Sequence, residues 1–188
     1  HPPGYPLFTI LGFILTRLSY ILPFTPAFLV SLISVLSTSL AIIIYFRLAL
    51  KLTKSLLISF ICSLITATIY IIWLLAVIPE VFALNSFFAL LLLYLSLLYT
   101  KSKSTTLLYI LAFFIGLSLT NHFTIISIFP SVFLIIFPQL KRVLQSEKRV
   151  LFTALFIGFM GLLPYLYVVI SSLLKPAVDW AHITSVQS

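Results

Sequence analysis

The sequence predicts an all-α protein that crosses a membrane several times. Of its 188 residues, 62% are hydrophobic and 7% are charged, whereas about 25% of the residues of a soluble domain are charged. The mean hydropathy is +1.28. Uncharged stretches of span length recur along the chain, and about 20 apolar residues in a helix cross the hydrocarbon core of a bilayer. Soluble folds are therefore excluded, and the lipid bilayer is an expected partner.

The net charge and the single cysteine restrict which partners and which kinds of site the protein is expected to have. Eleven Lys and Arg against three Asp and Glu give a formal net charge of +8. In a multi-pass protein such an excess indicates topology, so no nucleic-acid partner is expected. Cys62 lies in an apolar run and is predicted to be a small buried hydrophobe. No disulfide, metal site or cofactor is expected.

The chain is predicted to form a single transmembrane domain, residues 1–188, in three parts. Residues 1–25 form an outer loop and an interfacial helix over 7–22, although a tilted span in which Arg17 snorkels is an alternative. Residues 26–174 carry six membrane helices, and 175–188 begin an outer segment. The predicted spans cover residues 27–46, 56–78, 82–99, 107–120, 123–137 and 151–173.

The fourth and fifth spans come from one uncharged stretch of 37 residues, 104–140. As a single helix it would extend roughly 55 Å, far beyond a core of about 30 Å. The polar pair Asn121-His122 near its middle therefore predicts a turn between two short arms, neither of which spans a bilayer alone. Pro138 is expected to end the second arm.

Six spans sort the basic residues onto one side. The loops near residues 47–54, 101–103 and 141–149 then hold nine of the eleven Lys and Arg, and the positive-inside rule makes that side cytoplasmic. The opposite side receives the polar residues that could carry chemistry, namely His1, Glu80, Asn121, His122, Asp179 and His182.

Candidate site residues gather on that outer side. Glu80 is a carboxylate at a helix mouth, or alternatively a solvated residue favoured by the helix dipole. Asn85 is an amide at membrane depth that needs partners. His122 is a proton carrier, a phosphate ligand or a capped turn residue. The proline-rich start around Tyr5 is predicted to be stiff, and no HExxH, P-loop, GxSxG or carboxylate pair occurs.

Four separated blocks carry a family resemblance. They are His1-Pro2-Pro3-Gly4-Tyr5-Pro6-Leu7-Phe8-Thr9, Glu80-Val81-Phe82-Ala83-Leu84-Asn85, Gly116-Leu117-Ser118-Leu119-Thr120-Asn121-His122-Phe123-Thr124, and Gly161-Leu162-Leu163-Pro164-Tyr165-Leu166-Tyr167 with Ser171, Ser172 and Trp180. In order and content the chain resembles the bacterial and eukaryotic membrane family that includes an endoplasmic-reticulum protein O-mannosyltransferase.

The resemblance implies a GT-C-like helical bundle that moves a hexose, mannose above all, from a polyprenyl-phosphate carrier to an extracytoplasmic acceptor hydroxyl, such as protein Ser or Thr. It implies a catalytic acid upstream of His1, so we expect an N-terminally truncated piece that is inactive alone, with Glu80 as the candidate on this chain. The implied membrane is the bacterial plasma membrane, or the ER membrane in a eukaryote. The expected substrate-binding residues are His1, Tyr5, Arg17, Asn85, Asn121 and His122.

The last expectations concern the basic residues of the outer side and two alternative classes of protein. Arg17, His122 and Lys175 are outward cations that could hold phosphate; Phe13 stands where relatives often have arginine. A transporter would predict pseudo-symmetric halves, which are not found. A noncatalytic membrane subunit would predict small-xxx-small packing stripes, which five glycines make scarce.

Overall fold

The computed structural model describes residues 5–173, and every regular element in that range is helical. Two 3₁₀ segments, Leu18–Tyr20 and Phe123–Ile128, accompany the α-helices. The α-helices are α1 (Pro6–Arg17), α2 (Pro26–Thr53), α3 (Leu56–Thr68), α4 (Tyr70–Val77), α5 (Val81–Ser102), α6 (Thr105–Leu119), α7 (Phe129–Ser146), α8 (Lys148–Gly161) and α9 (Tyr165–Leu173).

Local signals set several helix ends. Thr25 caps α2 through its hydroxyl, and Pro26 occupies the first turn, where a missing N–H costs nothing. Ser55 caps α3 in the same way. The long helices α2 and α5 each end at a lysine in the left-handed conformation, Lys54 and Lys103, both with φ 55°. These caps place the reversals of the chain beside basic residues.

The helices have the lengths of a polytopic membrane protein. Three helical units are long and apolar enough to cross a membrane: α2, α5 and the unit Phe123–Ser146. Two bent pairs, α3 with α4 (64°) and α8 with α9 (43°), bring the number to five if each pair is one span. At 15 residues α6 is shorter, roughly 22 Å. The all-α polytopic membrane fold is therefore confirmed.

Three predicted spans differ in detail from the structure. The predicted helix 56–78 is broken at Ile69, which has an extended backbone (φ −63°, ψ 126°), and 151–173 is broken before Tyr165. The second arm, predicted to stop at Pro138, continues to Ser146. At 24 residues this arm is long enough to span, contrary to expectation.

Polar groups tie α7 to α5 on either side of Pro138. The Thr100 hydroxyl of α5 donates to the Ile135 carbonyl (3.0 Å), and the Gln139 side-chain amide donates to the Thr100 carbonyl (3.3 Å). Proline is tolerated within a membrane helix where neighbouring groups bond the local backbone. Charges near position 141 do not end the helix either, because long basic side chains reach the interface from within a span.

The core lies where α5 packs against its neighbours. Phe88, Leu92 and Tyr99 of α5 are buried beside Leu111 of α6 and Val132 of the α7 unit. Many large apolar side chains on the outside remain exposed, as expected of surfaces that contact lipid. Cys62 in α3 is half-buried rather than buried as predicted, because its helix lies at the edge of the bundle.

Small residues bring α6 and α8 into backbone contact. The small-xxx-small pair Ala112 and Gly116 of α6 faces the pair Ala154 and Gly158 of α8, and Gly161 follows on the same face of α8. A Cβ at Gly116 would collide with the Gly158 carbonyl oxygen, and one at Gly161 would lie 2.7 Å from the Leu117 nitrogen. The expectation that such stripes are scarce is therefore wrong: few glycines suffice when they face one another.

Contacts define two ends of the bundle. At one end, Tyr5 and residues 81–85 and 120–124 meet; we call this the polar corner. At the other, the Arg142 guanidinium pairs with Glu147 (3.4 Å) beside Lys103. We call the second the basic end.

Candidate functional site

The polar corner is built on a turn of the backbone. After α6 the chain reverses at Thr120 and Asn121, both fully buried. The Leu7 N–H of α1 donates to the Thr120 carbonyl (3.1 Å), and the Asn121 side-chain amide donates to the Val81 carbonyl (3.1 Å) at the start of α5. The Tyr165 hydroxyl of α9 donates to the Leu119 carbonyl (2.9 Å). The turn thus ties together four helices.

His122 lies against two aromatic rings at this corner. Its imidazole stacks on Tyr5, with centroids 5.1 Å apart and planes inclined by 12°, and contacts Phe82 at 5.2 Å. His122 is also the N-cap of the following 3₁₀ segment, because its Nδ1 accepts from the Thr124 N–H (3.2 Å). The ring is held by two aromatic contacts and at one nitrogen, so its position is defined before any ligand binds.

Asn85 joins the same network from α5. Its Nδ2 donates to the Thr124 hydroxyl (3.3 Å), which lies 2.6 Å from His122 Nδ1. The side-chain carbonyl oxygens of Asn85 and Asn121 are buried and have no hydrogen-bond donor within residues 5–173. A buried acceptor without a donor costs about 1–3 kcal/mol, so these oxygens indicate a place where water or a ligand bonds.

Glu80 immediately precedes the corner, and its backbone is fixed. Its N–H donates to Ser34 Oγ (3.2 Å), and Ser34 Oγ donates to its carbonyl (3.3 Å). The residue is exposed, and its carboxylate makes no hydrogen bond or ion pair with any described residue. The carboxylate is therefore free to act on another molecule.

The structure brings together four of the predicted site residues: Tyr5, Asn85, Asn121 and His122. Glu80 adjoins them through Val81. Arg17 does not join them: it is exposed at the opposite end of α1, roughly 15 Å along the helix from Leu7. Its guanidinium lies 4.7 Å from the Phe13 ring centroid.

The remaining candidates belong to parts of the chain that the structure does not describe. His1, Lys175, Asp179 and His182 lie outside the described residues. Within residues 5–173 no group of three His, Cys, Asp or Glu side chains could hold a metal ion. The site roles assigned to individual residues stay predictions.

Sequence reasoning missed Thr124. It stands in the third motif block with no assigned role, yet both its backbone N–H and its hydroxyl contact His122. The available signal was the spacing: a polar residue at the cap position bonds the N–H two or three residues later. Phe82, which contacts the His122 ring, carried no comparable signal.

These features define a class: a helical, polytopic membrane protein with a preformed polar site at the end of its bundle opposite the basic end. The family model described as the Protein O-mannosyl-transferase TMEM260 N-terminal domain matches residues 1–146. The chain belongs to this family, which confirms the resemblance seen in its four motif blocks.

Two curated relatives are similar over most of the chain. Protein O-mannosyl-transferase tmem260 of Dictyostelium discoideum is 28% identical over 207 residues, covering 100% of this chain and 24% of the relative. Protein O-mannosyl-transferase TMEM260 of Mus musculus is 32% identical over 186 residues, covering 94% of this chain and 26% of the relative. The chain thus spans about a quarter of the length of these relatives. No solved structure matches it significantly.

Proposed function

We propose that the protein containing this chain is a membrane glycosyltransferase. It moves a hexose, mannose in our proposal, from a polyprenyl-phosphate carrier to a hydroxyl of a protein Ser or Thr. The observation that carries the proposal is the polar corner, where a held imidazole and two amide oxygens unpaired within the described residues lie in a chain of this family, with the exposed carboxylate of Glu80 one residue before the corner. The names of the two relatives, both O-mannosyl-transferases, support the reaction class.

The distribution of Lys and Arg suggests on which side of the membrane the reaction takes place. We propose that the basic end faces the cytoplasm, because loops beside membrane helices carry an excess of Lys and Arg on that side. The polar corner then faces the extracytoplasmic space of a bacterium or the ER lumen of a eukaryote. With α6 as a sixth, shorter crossing beside the five other spans, residues 1–25 and 175–188 are outside and 26–174 cross the membrane.

The chemistry requires three things of the site. The acceptor oxygen forms a bond to the anomeric carbon, the bond from that carbon to the phosphate oxygen breaks, and the acceptor proton passes to a base. Glu80 is the candidate base on this chain, or the group that positions the acceptor. The departing phosphate gains negative charge, which hydrogen-bond donors and cations stabilise.

Individual residues take roles in this scheme. The Nε2 of His122 has no partner among the described residues and serves as a hydrogen-bond donor to the phosphate, with Lys175 as the proposed cation. Arg17 is too far along α1 to share this role. Tyr5 forms part of the rim beside His122, His1 stays a proposed substrate-binding residue, and Asn85 and Asn121 offer carbonyl oxygens to hydroxyl groups.

The test is transfer by the full-length protein. Purified protein in lipid nanodiscs is incubated with labelled mannosyl polyprenyl phosphate and Ser/Thr-containing acceptor proteins, and label on the acceptor is measured. We expect transfer with the wild type. Substrate flux in liposomes without transfer from any polyprenyl-phosphate sugar would replace this proposal with the transporter alternative.

A further inference from the structure

One tautomer of His122 satisfies the backbone of the polar corner. A backbone N–H can only donate, and the Thr124 N–H lies 3.2 Å from His122 Nδ1, so we assign that nitrogen as the acceptor. In this tautomer the Thr124 hydroxyl, 2.6 Å from the same nitrogen, is a second donor that shares its lone pair. The ring proton of the neutral imidazole is then on Nε2.

The direction of these hydrogen bonds also fixes the orientation of the Asn85 side-chain amide. A hydroxyl has a single hydrogen, and that of Thr124 is used on His122, so Thr124 Oγ1 acts as acceptor toward its other partner. That partner is the amide of Asn85, whose Nδ2 lies 3.3 Å away. The NH₂ group of Asn85 is thereby directed at Thr124, and its carbonyl oxygen is left buried without a donor among residues 5–173.

We propose that Asn85 Oδ1 accepts a hydrogen bond from a hydroxyl group of the ligand, and that Thr124 is the positioning residue that fixes this orientation. The inference rests on the proposed function and deepens it. The network offers a ligand one acceptor, Asn85 Oδ1, and one donor, His122 Nε2–H. A phosphate oxygen suits the donor and is repelled by the acceptor, whereas a hydroxyl suits the acceptor.

The hydroxyl has two sources, and they can be separated. One is the hexose of the glycosyl donor, and the other is the reacting Ser or Thr of the acceptor. A site that bonds a substrate hydroxyl discriminates against the analogue that lacks it, because its own polar group is then left unpaired. Analogues lacking single hydroxyls therefore report which group Asn85 bonds.

The experiment combines variants with analogues in the full-length protein. Asn85→Leu removes the acceptor at similar volume, Thr124→Val removes the hydroxyl at the same shape, and Thr124→Ser keeps the hydroxyl. The exposed Ser127, in the same 3₁₀ segment, supplies the control Ser127→Ala. Each protein is assayed for kcat/KM with mannosyl polyprenyl phosphate and with its monodeoxy forms. An acceptor peptide with Ser replaced by Ala is tested as a competitive inhibitor.

We expect Asn85→Leu and Thr124→Val to lower kcat/KM about tenfold with the natural pair. Thr124→Ser restores most of that loss, and Ser127→Ala has no effect. With one monodeoxy donor the difference between wild type and Asn85→Leu disappears, which identifies a sugar hydroxyl. If instead the Ala peptide inhibits wild type and Asn85→Leu equally while the Ser peptide binds wild type more tightly, the acceptor hydroxyl is the partner.

Two results would overturn the inference. A loss in Asn85→Leu that is the same with every analogue and both peptides would mean that Asn85 only supports the fold. A loss in Thr124→Ser as large as in Thr124→Val would remove the role of the hydroxyl. If the wild type transfers no sugar, the proposed function fails separately, and the same variants and analogues are then compared by equilibrium binding. Equal binding of all analogues by wild type and Asn85→Leu would again overturn the hydroxyl contact.

Discussion

The backbone contact between α6 and α8 predicts that three glycines respond differently to one added methyl group. At Gly116 a Cβ would collide with the Gly158 carbonyl oxygen and lie 3.1 Å from its carbon and 3.2 Å from the Gly161 Cα. At Gly161 it would lie 2.7 Å from the Leu117 nitrogen. These neighbours are backbone atoms that cannot rotate away. At Gly158 the nearest atom, the Ala112 carbonyl oxygen, is 3.4 Å away, an ordinary contact.

The magnitudes follow from two opposing effects. Forcing a methyl group into a packed contact costs about 1–3 kcal/mol, and the upper end applies where backbone must move. Separating the helices by about 1 Å also forfeits a quarter to a half of each dispersion contact. Replacing glycine by alanine within a helix raises the free energy of unfolding by about 1 kcal/mol through helix propensity. Gly116→Ala and Gly161→Ala should therefore lose about 2 kcal/mol of unfolding free energy, and Gly158→Ala should be neutral or slightly stabilised.

The assay is thermal or denaturant unfolding of the full-length protein in the same detergent, with Gly158→Ala as the matched control. All three variants add one methyl group, so a difference among them reports the local contact rather than hydrophobicity. Equal stability of Gly116→Ala and Gly158→Ala would refute the close approach of α6 and α8.

Three further predictions concern topology and the site. In a Cys62→Ala background, cysteines placed at the exposed positions Ser102 and Ser146 should react with an impermeant thiol reagent only from the cytoplasmic side; labelling from outside would reverse the topology. Glu80→Gln should lower turnover about tenfold or more while changing stability by less than about 0.5 kcal/mol, since its side chain is exposed and unpaired within the described residues. His122→Ala should raise the KM for the polyprenyl-phosphate donor about tenfold, measured by initial rates.

The controls for these predictions use neighbouring positions. A cysteine at Ser127, beside the polar corner, should react from the outer side only. For Glu80→Gln, unchanged turnover with normal folding would remove the carboxylate from the reaction. For His122→Ala, a fall in melting temperature without a change in donor KM would assign the imidazole to packing between Tyr5 and Phe82.

Sequence reasoning succeeded where a strong local signal coincides with the structure. A polar pair in a long apolar stretch indicated the turn at Asn121-His122, because an unbroken helix of that length does not fit a bilayer. The break at Ile69 could not be found in this way: no glycine or proline marks it, and its residues are as apolar as those of the helices it separates. The prediction at Pro138 was wrong for the opposite reason. Proline is a strong helix-ending signal, yet α7 continues past it to Ser146, where hydrogen bonds of Thr100 and Gln139 join α7 to α5.

The candidate site was predictable in its residue types but not in its connections. Asn85 and His122 stand out as polar groups in apolar helices, which suggests that each has a partner. That they share one partner, Thr124, depends on the packing of α5 against the turn, and residues 39 apart in sequence gave no sign of it. Arg17 was assigned to the site because of its charge alone, but the length of α1 places it far from the polar corner.

The glycine contact between α6 and α8 also sets an order of events during synthesis. Gly158 is made 42 residues after Gly116, and at about 5–20 residues per second the ribosome needs roughly 2–8 s for that distance. During this interval α6, whose 15 residues extend roughly 22 Å against a core of about 30 Å, has no α8 beside it. The α7 segment leaves the ribosome before α6 gains its partner. The same glycines that make the mature contact so close therefore leave one face of α6 without its α8 partner throughout this interval.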